Sequence, residues 1–229
     1  MTHAGRLTLA IETSTPTGSV AVGRADSVLA EIVLGPESRH SEALLPAIEY
    51  LFQLTRSERD QLSQIVVAGG PGSFTGVRIA AATAKGMAAA LGLPLLAYSG
   101  LLAVAAGTSE RDRPICCLFD ARRDEVYAAC YRLGDRIETI SSPQVESIQY
   151  VLDALQPTDC VFAGEGALRH TALIEARGAR VLPGHLAVPR ASALLWLAHT
   201  WPEVGRVRDA RHWEPQYLRA SSAERGIRA

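Results

Sequence analysis

Hydrophobic positions in the first half of the chain form short apolar runs and longer helical periods, separated by polar turns. The three opening runs have the length and β-branched content of strands, which predicts a three-strand meander. A long apolar period at 76–91 ends at Gly92 and Pro94, residues that stop a helix. The predicted strands are 7–12, 18–24, 27–34, 64–69 and 95–98, and the predicted helices are 41–54, 76–91 and 99–106.

The second half repeats this order. Strands are predicted at 114–119, 125–132, 135–140 and 160–163, and helices near 147–156 and 167–177. Glu12 aligns with Asp120 at an offset of 108 residues, and each ends the first strand of its half before a polar turn. The repeat predicts a duplicated α/β fold of two lobes, each with a mixed sheet opened by a meander and covered by helices. The polar run 108–113 is the predicted boundary between an N-terminal lobe, 1–107, and a C-terminal lobe, 108–229.

Composition limits the classes of protein that remain. A chain of 229 residues with 48% hydrophobic content can build a large core, which excludes disorder and fibrous structure. The formal net charge of −1 leaves no broad cationic surface, so any RNA contact would be local. Four cysteines occur without a C-x-x-C pair, and we expect buried free thiols rather than a metal site or disulfides.

The sequence does not favour a membrane protein. The stretch 86–107 carries no charge, but Gly92, Pro94 and Gly100 interrupt it, which indicates a helix end, a short strand and a second helix. Glu12 breaks the first apolar run, so a signal peptide is not predicted. We therefore expect a cytoplasmic protein that makes no membrane contact.

Two polar segments are candidates for nucleotide contact. A turn after the first strand offers a carboxylate and hydroxyls, and a glycine-rich loop exposes backbone amides at a helix N-terminus. The candidate residues are Glu12, Thr13 and Ser14 in the turn and Gly72, Ser73, Thr75 and Gly76 in the loop. The loop is not a Walker A motif, because Val77 and Arg78 follow the last glycine. Both segments also have a structural interpretation, as a self-bonded turn and as a tight connection capped by Ser73 or Thr75.

The helices predicted at 41–54 and 76–91 are apolar on more than one face. One face can pack on the sheet of its own lobe, whereas the other needs the second lobe or another protein as cover. Complete burial within the monomer is the alternative interpretation.

Hydrolase and metal chemistry have little support. Ser73, His40 and Glu12 are residue types of a catalytic triad, but the sequence has no Gly-x-Ser-x-Gly elbow. The six histidines form neither an H-x-x-x-H nor an H-E-x-x-H spacing. We therefore predict no catalytic residue and no metal ligand.

Four segments together resemble the TsaB family, also called YeaZ. They are LAIETST at 9–15, GPGSFTGVRI at 70–79, AKG at 84–86 and PQYLR at 215–219, with Glu12 standing where the family usually has Asp. The resemblance implies a duplicated actin-like (ASKHA, ribonuclease H-like) fold. It also implies a non-catalytic subunit that binds and activates the transferase TsaD, together with the ATPase TsaE. The implied product is N6-threonylcarbamoyladenosine at position 37 of tRNA, and tRNA is reached through the complex.

The resemblance also implies where partners bind. TsaD would pack against the two apolar helices of the N-terminal lobe. Because a bare apolar face is unfavourable in water, we also expect a homodimer, of a geometry that the sequence does not fix, when TsaD is absent. The expected interface residues are Leu44, Leu45, Ile48, Arg78, Ala81, Ala82 and Lys85. No cofactor is firmly predicted, beyond weak ATP or ADP with Mg at the complex interface. The second copy reads Asp120 to Asp124 without glycine or hydroxyl, which favours a degenerate site over the alternative, an ATP-binding or glycoprotease-like enzyme of the same fold.

Overall fold

The structure, a computed structural model, describes residues 7–219. The first six residues of the predicted N-terminal lobe and the last ten of the predicted C-terminal lobe lie outside this range. The strands are β1 Leu7–Glu12, β2 Gly18–Arg24, β3 Ser27–Leu34, β4 Leu62–Ala68, β5 Leu95–Tyr98, β6 Ile115–Asp120, β7 Glu125–Leu133, β8 Ile137–Ser147, β9 Val161–Ala163 and β10 Arg180–Val181. The helices are α1 His40–Thr55, α2 Phe74–Leu91, α3 Gly100–Ala106, α4 Ile148–Ala154, α5 Glu165–Arg169, α6 Thr171–Glu175, α7 Ala191–Thr200 and α8 Pro202–Gly205.

Two five-stranded mixed sheets share one topology. The first has the order β3-β2-β1-β4-β5 and the second the order β8-β7-β6-β9-β10. In each sheet an antiparallel meander supplies three strands, and the remaining two run parallel to the first strand. The strands β1 and β6 cover 7–12 and 115–120, so the predicted offset of 108 residues is confirmed, as is the duplication.

The sheets alternate with layers of helices. Helices α1 and α2 cover one face of the first sheet, and their apolar side chains form one core with β1, β2 and β4. Helices α3 and α7 lie between the two sheets, and a second core contains residues of both sheets. A third core lies under α4, α5 and α6 on the far face of the second sheet. The outer face of α1 and α2 is consequently a surface of the chain.

Helix α7 was not predicted from the sequence, although its residues ASALLWLAHT are strongly apolar. It follows the second sheet in sequence but contacts β1, β2 and β4 of the first. Two side chains of the first meander, those of Ser19 and Glu31, bind the N-terminus of α7 and the residue before it. Ser19 Oγ accepts a hydrogen bond from Ala191 N at 2.8 Å, and the Glu31 carboxylate accepts from Ser192 N at 3.1 Å and from Arg190 Nη2 at 2.8 Å.

Other elements differ from the predictions in extent. The prediction of a single helix near 167–177 is wrong, because this segment forms two short helices, α5 and α6, that meet at His170. Strand β8 is longer than predicted, and α2 begins at Phe74, where Ser73 caps it by accepting a hydrogen bond from Gly76 N. The boundary near residue 107 stays a prediction.

The cysteine predictions are confirmed. All four cysteines are free and buried. Neighbouring residues on β6 point to opposite faces, since Cys117 lies in the core between the sheets and Cys116 in the core under α4 to α6. Within residues 7–219, no helix has the length and apolar character needed to cross a bilayer.

After α8 the chain returns to the first lobe. We name residues 206–219 the strap. Its Val207 donates a backbone hydrogen bond to Leu95 O at 3.1 Å, beside a bridge between Arg206 and Leu96, so it covers the free edge of β5. Partly buried side chains of the strap, Ala210 and Trp213 among them, pack on the first core.

Candidate functional site

A cleft of about 460 Å³ lies between the two lobes, at the ends of β1, β4 and β6. Its first wall is made by the turn after β1 and by the glycine-rich loop before α2. Its second wall is made by the loop after β6 and by α5, and the end of the strap closes one side. Of the candidate nucleotide-contacting residues, the cleft is lined by Ser14, Gly72, Ser73 and Thr75.

Glu12 ends β1 beneath this cleft and is fully buried. Its Oε1 accepts hydrogen bonds from Ser14 N at 2.7 Å and from Ser14 Oγ, while its Oε2 has no hydrogen-bond partner among the described residues. Burial raises the pKa of Glu12 from 4.5 to about 8, against the opposing hydrogen bonds from Ser14, and the nearby Glu165 carboxyl adds to the rise. The Glu12 side chain is therefore mostly a neutral carboxylic acid at neutral pH.

The glycine-rich loop is packed against the turn after β1. Thr13 Oγ1 donates a hydrogen bond to Gly76 O at 2.7 Å, and Ser73 N donates to Ser14 O at 2.7 Å. A Cβ at Gly76 would lie 1.9 Å from Thr13 O, and one at Gly72 would lie 2.2 Å from Ser14 O. Both positions need glycine because two backbone segments meet there.

These contacts decide whether a phosphate cradle is present. The amides of Ser73 and Gly76 already donate hydrogen bonds within the chain, to Ser14 O and Ser73 Oγ. The Glu12 carboxyl is neutral and lies below the cleft floor rather than on it. Two of the loop amides and one oxygen of the Glu12 carboxyl are therefore engaged within the chain rather than directed into the cleft.

The second wall carries charged residues at the equivalent positions. Asp120 ends β6, accepts a hydrogen bond from Arg122 N at 2.8 Å and pairs with Arg169 at 2.8 Å. Desolvation and the neighbouring Asp120 raise the pKa of Glu165 above its ordinary value. Residues 122–124 all have positive φ, which is uncommon for residues other than glycine. The sequence showed that this turn lacks glycine, but not that its backbone is left-handed.

The three residue types of a hydrolase triad are not assembled into one. Ser73 Oγ accepts from Gly76 N, and His40 Nε2 lies 3.0 Å from Thr15 O. Glu12 bonds to Ser14 rather than to the histidine. Among residues 7–219, no cluster of three or more His, Cys, Asp or Glu side chains could hold a metal ion.

The second candidate site is the outer face of α1 and α2, on the first lobe. On α1, Leu45, Tyr50 and Leu54 are 60%, 57% and 56% exposed. On α2, the exposed positions Ala82 and Gly86 belong to a row of small residues that continues through the exposed residues 89 and 90. A second pair of helices could approach this row closely, since small side chains bring helix axes together.

The structure divides the expected interface residues into three groups. Leu44, Ile48 and Ala81 are buried within the chain and expose almost no surface to a partner. Leu45 and Ala82 lie on the exposed face. The two cationic residues, Arg78 and Lys85, are already engaged within the chain by the strap.

The strap contacts were missed by the sequence reasoning. Arg78 stacks on the Phe74 ring, with its Cζ 3.8 Å from the ring centroid, and Tyr217 of the strap lies against the same ring at 5.4 Å. Lys85 Nζ donates to Trp213 O at 2.7 Å and to Arg211 O at 3.2 Å. The segment PQYLR was recognised as a motif, but nothing local to it indicates these partners.

Comparison with known proteins identifies the chain's relatives. A family model described as "TsaD: tRNA N6-adenosine threonylcarbamoyltransferase" matches residues 27–224. The tRNA threonylcarbamoyladenosine biosynthesis protein TsaB of Bacillus subtilis is 35% identical over 94% of this chain and 95% of its own length. The solved structure of YeaZ from Pseudomonas aeruginosa is similar with a TM-score of 0.78 and 28% identity, covering 93% of this chain and 99% of that one.

A more distant structure bears on the fold alone. EutJ from Carboxydothermus hydrogenoformans, at 12% identity, has a TM-score of 0.51 and covers 83% of this chain and 89% of that one. Together with the two matching five-stranded sheets, this likeness confirms the expected actin-like fold class. The match over most of the sequence and the 35% identical relative show that the chain belongs to the TsaB family, a group related to TsaD.

Proposed function

We propose that this chain is a non-catalytic subunit in the formation of N6-threonylcarbamoyladenosine at position 37 of tRNA. In this role it binds and activates a TsaD-class transferase, acts with a TsaE-class ATPase, and meets tRNA through the complex in the cytoplasm. Membership of the TsaB family supports the pathway, since its relatives are named as threonylcarbamoyladenosine biosynthesis proteins.

The main observation that supports the proposed partner is the exposure of apolar residues on the outer side of α1 and α2. Three large side chains of α1, those of Leu45, Tyr50 and Leu54, are more than half exposed, and small residues of α2 are exposed as well. Fully burying one exposed Leu side chain stabilises a complex by about 1.5 to 3 kcal/mol, so these exposed apolar residues favour association. The TsaD family model also matches this chain, which supports equivalent helices on the partner and hence a four-helix packing.

The cleft supports the non-catalytic part of the proposal. The Glu12 carboxyl below its floor is neutral, and two of the loop amides donate hydrogen bonds within the chain. Titration calorimetry with Mg-ATP tests this directly. We expect no tight binding by the isolated chain, whereas tight binding would support the alternative of an ATP-binding enzyme. A casein digestion assay with Ser73→Ala as control tests the glycoprotease-like alternative, and we expect no activity from either protein.

The partner surface is tested by Leu45→Glu. Leu45 is 60% exposed, so the variant should fold normally, while a carboxylate buried in an apolar interface should abolish the complex with the transferase. Leu168→Glu is the matched control, because Leu168 is exposed on α5, on the far side of the second sheet. Size-exclusion chromatography reports the complex. A complex that survives Leu45→Glu as well as it survives the control would contradict the proposed interface.

The function itself is tested by reconstitution. Transferase, TsaE-class ATPase, threonylcarbamoyl-adenylate and tRNA are combined with and without this chain, and modification of adenosine 37 is measured. We expect modification only when the chain is present, and full activity without it would refute the proposal. In the absence of the transferase we expect a homodimer through the same face, which light scattering would detect and Leu45→Glu would weaken.

A further inference from the structure

The strap contacts both lobes. Its first half belongs to the first lobe, where it covers the edge of β5 and packs Trp213 on the core. Its last described residue, Arg219, donates to Ala121 O and pairs with Glu125, both in the second lobe. Because Gln216, Tyr217 and Arg219 also line the cleft, the strap runs along its mouth.

The glycine-rich loop contacts the strap directly. Gln216 N donates a hydrogen bond to Gly69 O at 2.7 Å. A Cβ at Gly70, whose φ is +89°, would lie 2.6 Å from Gln216 O. The glycine-rich loop therefore contacts the turn after β1 on one side and the strap on the other. A movement of this loop would change both contacts.

Lys85 is the second anchor of the strap. Its ammonium group donates to two strap carbonyls, those of Trp213 and Arg211. Lys85 is also the only lysine in the sequence. It projects from the middle of α2, the helix whose exposed residues form the candidate partner surface.

We propose that the strap couples the opening of the cleft to the surface of α2. Separation of the lobes pulls Arg219 from Ala121 and Glu125, which loosens the strap and releases Lys85 from its carbonyl partners. The docked strap is one state and the released strap the other, and a ligand or partner that favours either state at one end biases the other end. This coupling concerns contacts within the chain and does not depend on the proposed function.

The unique lysine provides the test. An N-hydroxysuccinimide ester acylates amines, so in this chain it modifies only Lys85 and the N-terminus, and peptide mass spectrometry separates the two. Replacing Arg219 by Ala removes the contact with the second lobe without touching Lys85. We expect the acylation rate of Lys85 to rise about ten-fold, because local release of the strap exposes the ammonium group.

Two further variants make the outcome decisive. Glu125→Gln removes the ion pair from the side of the second lobe and should also accelerate acylation, which keeps the test available if the Arg219 variant does not fold. Arg177→Ala is the matched control, since it breaks an ion pair with Asp153 elsewhere on the second lobe and should leave the rate unchanged. Wild-type rates in both strap variants, or equal acceleration in the control, would overturn the coupling.

Discussion

The buried carboxyl of Glu12 predicts an unusual dependence of stability on pH. Burial raises its pKa from 4.5 to about 8, and its Oε2 has no hydrogen-bond partner among the described residues. Ionisation in the folded state would leave an uncompensated charge under the cleft floor. The folded protein therefore holds a proton on Glu12 that the unfolded chain releases at a lower pH.

The size and sign of the effect follow from the two pKa values. A group whose pKa is higher in the folded state contributes stability that is complete below the unfolded pKa of 4.5 and is lost as the pH rises through about 8. At about 1.4 kcal/mol per pKa unit, the contribution of Glu12 to the free energy of unfolding falls by about 2.5 kcal/mol between about pH 5 and pH 7.

Glu12→Gln removes this titration while keeping an acceptor for Ser14 N. Urea denaturation across this pH range measures the free energy of unfolding of both proteins, and subtracting the profiles cancels the titration of every shared group. We expect the wild type to lose about 2.5 kcal/mol more than the variant as the pH rises. The exposed Glu37→Gln should run parallel to the wild type. Parallel profiles for Glu12→Gln as well would refute the argument that Glu12 is protonated in the folded chain.

The remaining predictions concern packing and helix capping. Gly76→Ala should cost about 3 kcal/mol of stability, because its Cβ would meet a backbone oxygen of the turn after β1 at 1.9 Å. Gly86→Ala, on the same helix in open space, should stabilise the protein by up to about 1 kcal/mol, and equal effects in thermal denaturation would contradict this. Glu31→Gln should destabilise by about 1 to 2 kcal/mol, since Glu31 holds Arg190 and the N-terminus of α7. Although burial alone would raise the pKa of Glu31, these hydrogen bonds lower it, so its contribution is present at neutral pH, and a variant as stable as the wild type there would be the contrary result.

The local elements were accessible from the sequence because they follow from patterns within a few residues. Alternation and β-branched content located both meanders, and the acidic residues Glu12 and Asp120 revealed the repeat. The helical period located α1 and α2, and Ser73 was among the expected caps of α2. These predictions succeed because strand and helix periodicity arise from backbone geometry alone.

Contacts between distant segments could not be predicted in this way. The Glu31 and Arg190 pair, the bonds from Lys85 to the strap, and the contact of Arg219 with the second lobe join residues about 100 or more positions apart. Such pairs form only when the sheets and helices pack, and no local pattern encodes which surfaces meet.

The sequence by itself determined the duplicated α/β architecture, the buried cysteines and the family resemblance. Only the tertiary structure decided that two of the loop amides and one oxygen of the Glu12 carboxyl are used within the chain, and that three of the expected interface residues are buried. The physical reason is that burial sets both outcomes. A carboxyl removed from water becomes neutral, an amide that meets a carbonyl is no longer available to a phosphate, and an apolar side chain under a sheet is hidden from a partner.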